Sequence, residues 1–483
     1  MAIELMLLMD EGRKRVAFAE SDKYFVDTIF SFLTETVGNV VRLTSKKSNL
    51  GSMGALYESV ENLDSQYFQK KAVKDMLLHP RSASETRTKD LAVNIDTEHP
   101  KYYICTWNCV INGSRLISSV KNARCRCGTK MSEEIYLKKS APSVKPGKKG
   151  VFLKGNMRFM ITDDFLVQLV SVTTCFTHLG KLGVSNWTSL EAKSVKIGAE
   201  EHVDKFNLMN AGFVGKVGTG PIYAFCLLKQ SLVSNTPLTD VFLPELGDSE
   251  HAVNVNPSFQ DATTEIKDNS KKMRVKLMLS KSKNTVLFAE VNADFVDLLF
   301  SFLTFPLGSI VKLLGLGSSI YCLDNLYKSV HDLSQEESCM VSDCCQGNIQ
   351  ECVHFPYSLY GSHIVNWINP KIRGGTSECG GGFVKGPKAA FMVTDGLDVK
   401  PMSLISGISI LKNFDVPLSD LQERDVSVGV EERTCPGIEL MKISHQVLNH
   451  RPPFSSFSNV GQIIPPDEGP GFLFSSSLAL ALM

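Results

Sequence analysis

Neither sign of charge is in surplus in this 483-residue chain, with Lys plus Arg and Asp plus Glu at 51 each. Proteins that hold nucleic acid or an anionic bilayer through their overall field carry a cationic excess, so any such contact here has to be local. Long apolar runs are missing as well. No stretch reaches 18 consecutive apolar residues, and the tail SSSLALALM (475–483) is too short to span a bilayer. At the amino terminus, MAIELMLLMDEGRKR sets Glu4 inside a brief apolar stretch and its basic cluster after it, the reverse of a secretory signal. The expectation is a cytoplasmic or nuclear protein without membrane contact.

Familiar catalytic signatures are also lacking. The chain has no Gly-x-Ser-x-Gly elbow, no HExxH, no Walker A loop and no strand-anchored GxGxxG, and its ten histidines are scattered. The Gly-rich run Gly212 to Gly220 contains a Lys but lacks the Gly-Lys-Ser/Thr ending that cradles phosphate, and reads as a loop. The basic runs Arg42 to Lys47 and Lys138 to Lys149 are short and poor in aromatics, which suits solvated loops better than a nucleic-acid track.

What the chain does contain is the same paragraph twice. VAFAESDKYFVDTIFSFLT (16–34) returns as VLFAEVNADFVDLLFSFLT (286–304), and a slide of 270 places keeps the two in register, with about 22 of 60 positions identical. Leu56-Tyr57 and Ser59-Val60 recur as Leu326-Tyr327 and Ser329-Val330, Phe152 to Gly155 as Phe383 to Gly386, and Phe159 to Asp163 as Phe391 to Asp395. A repeat of this length reads as a duplicated domain rather than a solenoid unit. The expected division is a first repeat domain over 3–246 with a cysteine-bearing insert at about 70–150, a linker over 247–271, a second, shortened repeat domain over 272–432, and an ill-ordered tail over 433–483.

Each copy opens on a hairpin pattern, Glu4 to Met9 and Arg15 to Glu20 around a polar turn, in which Val16 and Phe18 would share the apolar face. Asp22 and Asn292 stand where helix N-caps belong, ahead of apolar positions Phe25, Ile29 and Leu33 spaced for one helical stripe. A second short helix is expected over Leu56 to Leu63. The fold class predicted is α+β: two homologous domains, each a small, mainly antiparallel sheet with packed helices. Phe25, Phe30, Phe32 and Phe295, Phe300, Phe302 would form the core or the seam between copies.

Thirteen cysteines, an odd number in a chain read as intracellular, point to thiols or metal ligands rather than a disulfide framework. Cys105 and Cys109, followed by Cys125 and Cys127 with Gly128 behind, offer four thiolates from two short loops, the donor set of a structural Zn2+ site. Plain buried thiols are the competing reading and redox chemistry a third. In the second copy Cys339, Cys344, Cys345, Cys352 and Cys379 do not repeat that spacing. The repeated carboxylates Glu20/Glu290 and Asp27/Asp297 read as structural, set beside a helix start whose dipole favours negative charge. Thr162-Asp163 and Thr394-Asp395 read as turns, and Lys205 to Cys226 as a piece inserted ahead of LLKQSL.

The strings FAESDKYFVDTIFSFLT, LYESVENLD, ARCRCGTKMSEE, FLKGNMRFMITDD and LLKQSLVSNTPLTDVFL together resemble the plant-specific domain-of-unknown-function family 674, over about Ile3 to Leu246 and again over about Lys272 to Glu432. The resemblance implies an intracellular plant protein, often with duplicated domains, and carries no activity to this chain. The functional expectation is a non-enzymatic interaction or scaffold module with a protein partner and one structural zinc. The alternatives are a zinc-supported nucleic-acid-associated protein and an enzyme of unrecognised class.

Overall fold

The computed structural model describes residues 3–44, 52–69, 71–82, 91, 101–105, 116–118, 121–125, 127–135, 151–155, 157–184, 187–197, 219–243, 271–283, 285–314, 321–336, 339–340, 357–359, 363–367, 383–384 and 389–430. In chain order the first half holds β1 (Ile3–Asp10), β2 (Arg15–Ser21), α1 (Lys23–Ser31), α2 (Val37–Leu43), α3 (Ser52–Asn62) and α4 (Lys71–Leu78). Five short strands follow: β3 (Tyr102–Ile104), β4 (Leu116–Ile117), β5 (Ala123–Arg124), β6 (Lys130–Met131) and β7 (Glu133–Ile135). It closes with β8 (Phe159–Thr162), β9 (Val167–Leu169), α5 (Val172–Lys181), β10 (Leu190–Ile197), α6 (Thr219–Ser231) and α7 (Pro237–Phe242). The second half has β11 (Lys271–Ser280), β12 (Thr285–Asn292), α8 (Ala293–Ser301), α9 (Leu307–Leu314), α10 (Tyr321–Ser334), β13 (Tyr357–Leu359), β14 (His363–Trp367), β15 (Ala390–Thr394), β16 (Val399–Pro401), α11 (Leu404–Asn413) and β17 (Leu421–Val430).

Two five-stranded antiparallel sheets result, ordered β10-β1-β2-β8-β9 and β17-β11-β12-β15-β16, so corresponding strands occupy corresponding places. The fold is α+β, with helices packed on antiparallel sheets. Leu7 faces Ala19 and Leu277 faces Ala289, and both hairpins slip register at the same point, between Leu8 and Met9 and between Met278 and Leu279. That bulge corrects the expected face pattern, because an extra residue reverses the alternation beyond it. Val16 and Ala19 both enter the main core, whereas Phe18 turns to the opposite face and meets the His178 ring at 6.4 Å. Val286 and Ala289 likewise face the core, and Phe288 turns outward to Met392 and Ile410 under α11.

The expected N-caps form. Asp22 Oδ1 accepts from Tyr24 N at 2.9 Å, and Asn292 Oδ1 accepts from Phe295 N at 3.1 Å. Both satisfy amides that the first helical turn leaves without partners. The second helix starts earlier than its apolar pattern suggests, at Ser52. The stretch read as an insertion ahead of LLKQSL is only partly separate from it, because α6 begins at Thr219 and buries Ala224 and Phe225. The linker lies outside the described residues apart from Lys271, as do the Lys138 to Lys149 run and the tail.

One continuous apolar core runs through both halves, and Phe25, Phe30, Phe32, Phe295, Phe300 and Phe302 are all fully buried in it. Each such ring contributes roughly 1.5–3 kcal/mol by leaving water. The contacts across the seam are reciprocal. Val37 N donates to Phe305 O at 2.9 Å, and Leu307 N donates to Glu35 O at 2.8 Å. Helix α3 lies on β16 of the other half, where Ser59 Oγ accepts from Val399 N at 2.8 Å. Helix α10 lies on β9, where Ser329 Oγ accepts from Val167 N, also at 2.8 Å. Both serines donate their own proton to the carbonyl four residues back, Ala55 and Asn325, leaving a lone pair for the foreign amide. Phe68 forms a bridge with Val384, and Leu153 one with Met340.

Close approach decides one residue. A Cβ at Gly38 would stand 2.9 Å from Leu303 O and 3.2 Å from Leu303 Cβ. Gly38→Ala is therefore expected to cost about 1–3 kcal/mol, the usual penalty for overfilling a packed contact. Ser329→Ala, which strands the buried Val167 amide, should cost about 1–3 kcal/mol. Urea unfolding of each variant checks both figures.

Candidate metal centre

The cysteine-bearing segment builds its site from two short antiparallel pairs, β3 with β7 and β5 with β6. Cys105 follows directly on β3, whose Tyr103 exchanges backbone bonds with Ser118. Cys125 and Cys127 sit in the turn joining β5 to β6. There Cys125 N donates to Thr129 O at 3.0 Å, and Gly128 N donates to Cys125 O at 2.9 Å. Gly128 has φ +87 with nothing within 4 Å of a would-be Cβ, so the left-handed backbone alone explains glycine there.

This turn brings three sulfurs together. The Sγ atoms of Cys105, Cys125 and Cys127 all lie within 4.8 Å of one another, and Cys105 and Cys127 are 3.9 Å apart. A tetrahedral zinc with Zn–S bonds of about 2.3 Å has sulfur–sulfur edges of about 3.8 Å, so the trio fits such an ion with little movement. Cys105 and Cys125 are 5 % and 4 % exposed, whereas Cys127 is exposed. Apart from the thiols, the small core on this side consists of Tyr103, Ala123 and Met131, with Met76 of α4 against it. Cys109 lies outside the described residues. In the second half Cys339 is buried with its Sγ 3.8 Å from Met157 Sδ, and Cys344, Cys345, Cys352 and Cys379 lie outside the described residues.

The repeated carboxylates have a different job from the one their position suggests. Asp27 is the fifth residue of α1, beyond its first turn, and is completely buried. Its Oδ2 accepts from Val151 N at 2.6 Å, and its Oδ1 from Phe152 N at 3.0 Å and Leu153 N at 3.1 Å. Asp297 accepts from Phe383 N at 2.8 Å and Val384 N at 2.7 Å. Each carboxylate thus anchors the repeated Phe-Leu/Val-Lys-Gly segment, which then bridges to the other half. Burial pushes the Asp27 carboxyl up to about 7, against the pull of those three amides and of Lys23. Glu20 lies at the surface, paired with Arg158 Nε at 2.9 Å.

The Thr-Asp pairs do form turns. Thr162 N donates to Leu166 O and Thr394 N to Asp398 O, with Phe165 at φ 65 and Leu397 at φ 61 completing them. Asp163 does more than turn. Its carboxyl accepts from Thr239 N at 2.9 Å and from Thr239 Oγ1 at 2.5 Å, while Thr239 Oγ1 accepts from Val16 N at 2.8 Å. This chain of bonds fastens α7 to the first hairpin, and nothing in the Thr-Asp spacing announces it. Burial raises Asp163 to about 7, helped by the nearby Asp240 and Asp164 charges. An acid raised in the folded state keeps its proton where the unfolded chain has already released it, so its stabilising contribution falls as pH climbs from about 4 through 7. Asp163→Asn is expected to flatten that part of the stability profile, read as urea midpoints across the pH range.

No helix among the described residues is long and apolar enough to cross a membrane. No curated protein and no solved structure matches the chain. A family described as "Protein of unknown function (DUF674)" matches residues 1–431, which takes in both sheets and the thiol-bearing segment. The chain therefore belongs to the DUF674 family.

Proposed function

We propose that this protein is a non-enzymatic interaction module, descended from a duplicated segment, whose cysteine-bearing insert is stapled by one structural zinc. The observation that carries the reading is the convergence of Cys105, Cys125 and Cys127 at zinc-like spacing. Cys109, four residues beyond Cys105, is assigned as the fourth thiolate by its place in the sequence. Four protein ligands leave a zinc no open position for substrate, which favours a structural role over a catalytic one.

Besides the sulfurs, the thiol side of the segment carries only Tyr103, Ala123 and Met131, and structural zinc at thiolate sites contributes about 10–16 kcal/mol of apparent binding energy at neutral pH. The interaction reading is supported by apolar side chains turned to solvent. On α11 Leu404 is 84 % and Ile405 78 % exposed, and on α5, its counterpart in the first half, Phe176 stacks edge-on to an exposed Trp187. Soluble proteins seldom leave contiguous apolar surface bare without a use for it.

Purified chain is expected to carry one zinc ion by elemental analysis, lost in Cys125→Ser and in Cys105→Ser, while the urea transition of the main core stays in place. Metal-free wild type would remove the zinc. Partner capture that persists at high salt and is lost in Ile405→Asp supports the interaction module, whereas binding that collapses with added salt would favour the nucleic-acid alternative.

A further inference from the structure

The thiol trio is uneven in a way that a purely structural site does not require. Cys105 and Cys125 are buried, but Cys127 is exposed, and its sulfur stands 3.9 Å from that of Cys105. A disulfide needs the two sulfurs at about 2.05 Å, so closing the gap takes a movement of about 2 Å at one exposed side chain. The backbone turn that presents Cys127 is held by the Cys125–Thr129 and Gly128–Cys125 bonds, which place its sulfur beside that of Cys105. Cys125 is placed less well as a partner for Cys127, since a bridge between residues two apart would force that same turn open.

We infer that Cys127 and Cys105 form a peroxide-driven, reversible disulfide, making this turn an oxidation site as well as a ligand set. The Cys127 thiolate attacks one oxygen of hydrogen peroxide; an S–O bond forms, the O–O bond breaks, and the leaving hydroxide takes up a proton to become water. The Cys105 thiolate then attacks the sulfur of that sulfenic acid, the S–S bond forms, and the S–O bond breaks with loss of a second water. Two thiols are oxidised by two electrons in all and one peroxide is reduced to two waters. Exposure selects Cys127 as the sulfur that meets peroxide, and proximity selects Cys105 as the one that resolves it. Disulfides of this kind in reducing compartments are transient and regulatory rather than structural. Bond formation itself needs no metal. Its competition with metal does, and that part rests on the zinc reading, because the bridge consumes two of the proposed ligands.

The test uses full-length protein, reduced and stripped of metal with a chelator, then treated with hydrogen peroxide and mapped without reduction by peptide mass spectrometry. The expected result is a linked pair of peptides containing Cys105 and Cys127, two mass units lighter than their sum, and restored by dithiothreitol. Cys127→Ser should abolish the linkage, and Cys105→Ser should leave sulfenic or sulfinic acid on Cys127 with no bridge to it. Linkage of Cys125 to either partner, over-oxidation of Cys127 in the wild type beside an untouched Cys105, or no reaction at Cys127 would overturn the proposal. Zinc preloaded before peroxide should slow the linkage several-fold. A disulfide that forms at the same rate with and without added zinc, in protein that binds none, would sink the zinc reading while leaving the oxidation site standing.

Discussion

Two backbone amides, on Val167 and Val399, lie on the edge strands of their sheets, and each is buried beneath a helix of the opposite half. A buried, unpaired amide costs about 1–3 kcal/mol, and an uncovered apolar sheet face costs far more. The structure meets both needs at once by laying a helix from the opposite half across each edge. Ser329 and Ser59 then supply the missing acceptors, and the surrounding Phe and Leu side chains close a single core. The reciprocity extends outward. Asp27 and Asp297 hold the segments at Phe152 and Phe383, and those segments bridge to Met340 and Phe68 of the opposite half. Stacking of Phe68 on Phe300, centroids 6.2 Å apart, fills the space between.

Much of this was legible in the sequence, and the limits of legibility have physical causes. The hairpins, the Asp22 and Asn292 caps and the six seam phenylalanines follow from periodicity and capping chemistry, which are local. The face of Phe18 does not, because a single bulge reverses alternation without altering composition. Asp27 reads as a helix-start acid because its true partners, the amides of residues 151 to 153, lie more than 120 positions away. The serines of LYxSVxxL carry no sign that they accept from a foreign strand.

The thiol-bearing segment stands apart from this economy. Its cysteine spacing singled out four thiols, and the turn at Gly128 brings the sulfurs of three of them, Cys105, Cys125 and Cys127, within 4.8 Å of one another. Its thiol side carries a small apolar cluster, and its strand β4 pairs in parallel with β14 of the second half. The proposed metal or oxidation chemistry at the sulfurs would therefore act on a segment that reaches the second half through β14 yet lies outside the shared main core. The family match spans all of these parts.

The central claim is that the two halves share one core and complete each other. The most direct measurement is to cut the chain at a protease site engineered between residues 243 and 271, then follow the pieces by size-exclusion chromatography and urea unfolding. Pieces that stay together as one particle and unfold in a single transition agree with the account. Pieces that part and each retain a folded spectrum and a transition of their own would contradict it.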